Sequence, residues 1–161
     1  MVAFIFTVIV GGALHFTYEI SRENVLVGVF SAVNESPWEH LKLAFVPILL
    51  FGLIEYYYLN RTTNNLFIGK LVAFLTMAFT ITTVYYSYYY FIGHPILFVD
   101  ISTFIISALI AHYLSYKIKS STKEYKILNL LSVISFIILT IIFIYFTLNP
   151  GNSSLFKPHH Y

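Results

Sequence analysis

The sequence predicts an all-α fold, an integral membrane bundle of five transmembrane helices. Hydrophobic residues make up 58 % of the 161 residues and charged residues only 10 %, whereas a soluble domain is about 25 % charged. A transmembrane helix needs about 20 predominantly apolar residues, and five stretches of that kind follow one another along the chain. The length leaves room for a single membrane domain, residues 1–161.

The predicted spans are apolar stretches separated by polar or turn residues. They cover residues 1–18, 41–59, 71–92, 95–116 and 127–148. Residues 25–33 are apolar but too short to cross a bilayer, so this segment is expected to lie at the interface or to re-enter the bundle. Gly11 and Gly12 would let another helix approach the first span closely. A cleaved signal peptide is the alternative there, but the stretch is long and lacks a basic start.

Lys and Arg residues predict the orientation, because short cytoplasmic loops are enriched in them. The amino-terminal side receives six, namely Arg61, Lys70, Lys117, Lys119, Lys123 and Lys126. The other side receives three, namely Arg22, Lys42 and Lys157. The amino terminus is therefore predicted to be cytoplasmic and the carboxy terminus to lie outside. Lys42 is expected to snorkel to the lipid headgroups.

Ionisable side chains gather on the predicted outer side. Five of the six histidines and five of the seven acidic residues fall there. The candidates in this group are His15, Glu19, Glu35, Glu39, His40, His94, Asp100, His159 and His160. Each of them could also be a headgroup-level residue satisfied by water, but together they predict a polar cavity that binds a divalent metal or a small polar ligand.

The start of the second span contains the pattern Ser36-Pro37-Trp38-Glu39, which is typical of a capping box. Ser36 would be the N-cap and Pro37 the first helical residue, and Glu39 would reach back to the cap's amide. Trp38 is expected to be an interfacial anchor. This interpretation explains neither Glu35 nor His40, and it does not require Asn34, which remains a further candidate site residue.

The residue types in this group favour a divalent metal such as zinc. The chain has no cysteine, so ligands would come from His, Asp and Glu. We expect the ligands to be His15, Glu19, Glu35, His40 and His94. Glu39 and Asp100 are the candidate catalytic carboxylates of a metal-dependent hydrolase, in which one of them would act as general base. Asp100 lies inside a span, where an acid is a site candidate by default.

Glu55 and His112 belong to the inner half and are expected to pair with each other. With Asp100 they are the relay groups of an alternative function, a proton- or cation-coupled transporter of a small solute. A non-catalytic subunit of a membrane complex is a third alternative. A net charge of +2 is too small to indicate nucleic acid binding. The expected partners are the lipid bilayer and a small molecule or lipid, and self-association is left open.

Residues 34–43, Asn-Glu-Ser-Pro-Trp-Glu-His-Leu-Lys-Leu, resemble the hallmark of an uncharacterised family of small multi-span bacterial and archaeal membrane proteins, a domain of unknown function. Segments 15–19, 27–30, 54–56, 100–101 and 114–117 extend the resemblance over nearly the whole chain. The resemblance implies five spans and a prokaryotic cell membrane, and it implies no activity.

Overall fold

The computed structural model describes residues 1–58 and 65–158, and their regular structure is helical. The helices are α1 (Val2–Ile20), α2 (Val25–Gly28), α3 (Pro37–Tyr58), α4 (Leu66–Ile92), α5 (Leu97–Lys119) and α6 (Lys126–Leu148), followed by a short 3-10 helix, Ser154–Phe156. All except α2 and the 3-10 helix are long and apolar enough to cross a membrane. The all-α fold and the five long apolar helices are thus confirmed. The orientation of the termini stays a prediction, and Arg61, His159 and His160 lie outside the described residues.

Several helices extend beyond the apolar stretches that predicted them. α3 begins at Pro37, four residues before the predicted span, and α5 continues through Lys117 to Lys119. A helix satisfies its own backbone hydrogen bonds in lipid and in water alike, so its ends are set by caps and turns rather than by the hydrocarbon boundary. In the 25–33 segment, Asn24 Oδ1 accepts a hydrogen bond from the Leu26 amide (2.9 Å) and starts the single turn of α2.

The core is built around α3, which packs against α1 and α4 and also contacts α6. Eleven of its 22 residues are buried, a larger share than in the other four long helices. Phe45 of α3 is the centre of an aromatic group, with ring centroids 4.8–5.8 Å from those of Phe74, Phe136 and Phe143. These contacts pack α3 against side chains of α4 and α6.

Gly11 lets α1 approach α3 and α5 very closely. A Cβ atom built on Gly11 would lie 2.6 Å from the Leu43 carbonyl oxygen and 2.8 Å from the Phe104 ring. At Gly12 a Cβ atom would meet nothing within 4 Å. The predicted close approach is therefore confirmed at Gly11, and it brings the carboxy-terminal half of α1 against the start of α3.

Candidate metal centre

The start of α3 is held by side chains from the segment before it. Ser36 Oγ accepts a hydrogen bond from the Glu39 amide (3.3 Å), which confirms Ser36 as the cap. The other half of the predicted capping box is wrong, because Asn34 Oδ1 accepts the bond from the Ser36 amide (2.9 Å). Glu39 Oε2 accepts instead from the Val33 amide (2.9 Å). Asn34 thus completes the helix start, since a short side chain reaches an amide two residues ahead more easily than Glu39 reaches back.

Glu39 and Lys42 form a buried ion pair directly below the helix start. Glu39 Oε2 lies 2.5 Å from Lys42 Nζ, which also donates to the Gly28 carbonyl (2.7 Å) and to Thr147 Oγ1 (2.9 Å). The prediction that Lys42 snorkels to the headgroups was wrong, because these three acceptors satisfy the ammonium inside the bundle. The sequence held one signal for this pair, namely opposite charges three residues apart on one helix. A catalytic role of Glu39 stays a prediction.

Three predicted site residues converge at the outer end of the bundle as the positive-inside rule orients it. His15 comes from α1, Glu35 from the segment before α3, and His40 from the first turn of α3. Glu35 Oε2 lies 3.3 Å from His40 Nε2 and 3.6 Å from His15 Nε2. The two imidazole rings are 5.4 Å apart between centroids. All three side chains are partly exposed, so the cluster is open on one side.

Glu35 is the anionic centre of this cluster. The neighbouring imidazoles of His15 and His40 lower the pKa of Glu35 far below its ordinary value and outweigh the opposing effect of burial. Glu35 is therefore a carboxylate at neutral pH, between two imidazole nitrogens.

The spacing of the three groups fits a metal ion. Ligand atoms about 2.0–2.1 Å from a tetrahedral zinc lie about 3.3–3.4 Å from one another. One donor atom from each of His15, Glu35 and His40 can be chosen so that all lie within 4.8 Å of one another. The two contacts to Glu35, 3.3 and 3.6 Å, are close to the separation between two ligand atoms of one zinc ion.

The remaining outer candidates have other surroundings. Glu19 is exposed near the end of α1, and His94 is exposed with its Nδ1 3.1 Å from the Pro95 carbonyl oxygen. Asp100 Oδ1 accepts a hydrogen bond from Tyr88 Oη (2.7 Å). Tyr88 Oη in turn accepts a hydrogen bond from the Ile96 amide (3.3 Å). These contacts close the turn between α4 and α5. Metal binding by Glu19 and His94 and catalysis by Asp100 stay predictions.

The predicted pair of Glu55 and His112 was wrong, because each group has another partner. Glu55 binds Lys70 of α4 at 2.5 Å and Lys119 of α5 at 2.7 Å. His112 Nε2 lies 2.8 Å from the buried hydroxyl of Thr7 in α1. The two lysines were assigned to loops from the sequence, but the helices that carry them extend further than the apolar stretches and bring them to Glu55.

Trp38, which was expected to be an interfacial anchor, packs against three phenylalanine rings. Its ring centroid lies 4.7 Å from Phe143, 5.4 Å from Phe146 and 5.2 Å from Phe156. The tail therefore folds back onto Trp38 at the start of α3, two residues before His40.

Fold and site together define a helical integral membrane protein that carries a histidine–carboxylate cluster at one end of its bundle. The chain belongs to the family described as "Family of unknown function (DUF6512)", which matches residues 1–160. The resemblance to an uncharacterised family is thereby confirmed over the whole chain. No curated protein and no solved structure matches the chain.

Proposed function

We propose that this protein binds a divalent metal ion, with zinc as the best fit, through His15, Glu35 and His40. The observation that carries the proposal is the convergence of two imidazole nitrogens and one carboxylate oxygen from three separate elements. Two histidines and one glutamate are a ligand set of catalytic zinc sites, in which the fourth position stays open to water or substrate. Partial exposure of all three side chains is consistent with such an open position.

The enzymatic form of the proposal is a metal-dependent hydrolase. A zinc ion with an open position lowers the pKa of bound water to about 7 and supplies a nucleophile at neutral pH. The predicted general bases Glu39 and Asp100 already contact Lys42 and Tyr88.

A membrane lipid or another membrane-anchored molecule is the substrate class that suits the surroundings of the cluster. The end of α1 and the segment that follows it expose apolar side chains next to His15 and before Glu35, namely Phe16, Ile20, Val25, Leu26 and Phe30. An amphiphile can lie along these side chains while its polar group reaches the metal. The proposal sets the cluster on the outer side of a prokaryotic cell membrane, as the Lys and Arg distribution predicts.

Elemental analysis of purified protein tests the metal-binding proposal. After expression with added zinc, we expect about one zinc ion per wild-type chain, and at least tenfold weaker binding in His40→Ala and Glu35→Gln. His94→Ala is the matched control, because it removes an exposed histidine that lies outside the cluster. Wild-type protein without stoichiometric metal would refute the proposal. Equal loss of zinc in His94→Ala and His40→Ala would assign the metal to a different ligand set.

The hydrolase form needs a separate measurement on the zinc-loaded protein. Short-chain phospholipid and fatty-acyl esters in detergent micelles are suitable probes, because their chains can rest on the exposed apolar residues. We expect turnover by the wild type and none by His40→Ala. Stoichiometric zinc without turnover of either ester class would limit the proposal to metal binding.

A further inference from the structure

Glu35 lies in a connection that has little regular structure of its own. Residues 29–36 join α2 to α3, and only turns and bends occur there. The position of the Glu35 carboxylate therefore depends on side-chain contacts that hold this connection to the bundle. Two such contacts come from side chains near the start of α3, Glu39 and Lys42.

Lys42 and Glu39 hold the connection at two points. Lys42 Nζ donates to the Gly28 carbonyl (2.7 Å), immediately before the connection begins. Glu39 Oε2 accepts from the Val33 amide (2.9 Å), two residues before Glu35. Because the two side chains are also paired with each other, the two points are fixed relative to one another.

Each donor of the Lys42 ammonium has an acceptor, and both side chains of the ion pair are buried. An ammonium group has three donors, and Lys42 directs its three toward Glu39, Gly28 and Thr147. Lys42 is 0 % exposed and Glu39 is 2 % exposed. The contact with Thr147 adds α6 as a third support, so α3, α6 and the connection meet at one buried charge.

We propose that the Glu39–Lys42 pair is a positioning device, which holds Glu35 against His15 and His40 in the arrangement that a metal requires. This inference rests on the proposed metal site, and it gives Glu39 a positioning role rather than direct contact with the metal or substrate. Groups that orient metal ligands commonly change metal affinity by about 10–100-fold when they are removed. We expect a change of that size here.

The chain contains a matched control for this proposal. Glu55 and Lys70 form a second buried pair with the same 2.5 Å separation, and Lys70 is only 1 % exposed. Glu55 lies 16 residues after Glu39 on α3, about 24 Å along the helix. Lys70→Met therefore removes a comparable buried charge without touching the connection at 29–36.

The test uses the full chain in detergent and compares Lys42→Met with Lys70→Met. The first readout is hydrogen–deuterium exchange of the peptide that contains residues 29–36, which needs no metal. We expect exchange there to become at least tenfold faster in Lys42→Met and to stay unchanged in Lys70→Met. The second readout is zinc affinity by chelator competition, which should fall about 10–100-fold in Lys42→Met and remain within about threefold in Lys70→Met.

A second variant guards against misfolding of Lys42→Met, which leaves Glu39 without its cation. Glu39→Leu combined with Lys42→Met replaces the pair by apolar side chains, an exchange that buried ion pairs often tolerate. It should fold and should show the same fast exchange and weak zinc binding. A Co²⁺-loaded sample should also show an altered visible absorption spectrum, because the ligand geometry at the metal changes.

The outcomes separate the two proposals. Unchanged exchange at 29–36 in both variants would overturn the positioning role, whatever the metal data show. Faster exchange with wild-type zinc affinity would also overturn it, because Glu35 would then be held by other contacts. A wild type that binds no zinc would refute the proposed function, while the exchange comparison would still decide whether the ion pair holds the connection.

Discussion

Replacement of Gly11 by alanine is a sharp test of how the helices bring the site together. The added Cβ would lie 2.6 Å from the Leu43 carbonyl oxygen, whereas carbon–oxygen contacts between helices are about 3.3 Å or longer. A backbone oxygen inside α3 cannot rotate away, so α1 has to move outward by about 0.7 Å. Overpacking of this kind costs about 1–3 kcal/mol.

The matched control is Gly12→Ala, because a Cβ atom there meets nothing within 4 Å. Both variants gain the same helix propensity, up to about 1 kcal/mol, so the difference between them isolates the steric cost. Thermal or denaturant unfolding in detergent should show Gly11→Ala to be about 1–3 kcal/mol less stable than Gly12→Ala. The shift of α1 also moves His15 away from His40, so zinc affinity should fall in the first variant alone. Equal stability of the two variants would refute the reasoning.

Two further predictions concern the charged groups. The pKa of Glu35 is lowered from 4.5 in the folded protein, so its stabilising effect is complete above that pH and is lost as the pH falls toward the folded-state value. Glu35→Gln should therefore unfold more easily than the wild type at pH 6, and the difference in stability between the two should become smaller as the pH falls from 4.5 to 3; a constant difference over that range would contradict this. Glu55→Gln leaves Lys70 buried without its anionic partner and should cost about 3–5 kcal/mol in unfolding free energy. Adding Lys70→Met should recover most of that loss, and failure to recover it would show that Glu55 acts through other contacts.

The helices were predictable because hydropathy and length alone decide whether a segment can cross a bilayer. Ser36 and Pro37 were predictable for a related reason, since a cap depends on residues within one turn of each other. Asn34 was missed although its contact is equally local. Asn34 and Glu39 are both close enough in sequence to accept a hydrogen bond from the Ser36 amide. The pattern did not show that Glu39 would accept from the Val33 amide instead.

Polar partners between different helices were not predictable from spacing. Each residue turns a helix by about 100°, so small errors in where a helix begins decide which neighbour a side chain meets. Glu55 meets Lys70 and Lys119 rather than His112, because α4 and α5 extend beyond their apolar stretches. Lys42 was misplaced because its acceptors, Gly28 and Thr147, are distant in sequence and carry no recognisable pattern.

The cluster of two histidines and one glutamate was partly predictable. The abundance of histidines and acids on one side pointed to His15, Glu35 and His40, and the structure brings these three together. The same signal included Glu19, His94 and Asp100, which lie outside this group of three. Composition and topology give the depth of a residue in the membrane, whereas the direction in which a side chain points depends on packing.

The hydrogen bonds between helices that are distant in sequence also affect biosynthesis. Thr7 contacts His112, and Lys42 contacts Thr147, and each of these pairs is separated by 105 residues. When α1 and α3 leave the ribosome, the helices that provide these partners have not yet been made. The first helices therefore enter the membrane with polar groups that only later helices satisfy, and burial of Lys42 is completed by the arrival of α6. Insertion and folding of this small protein are for that reason coupled until the last span is in place.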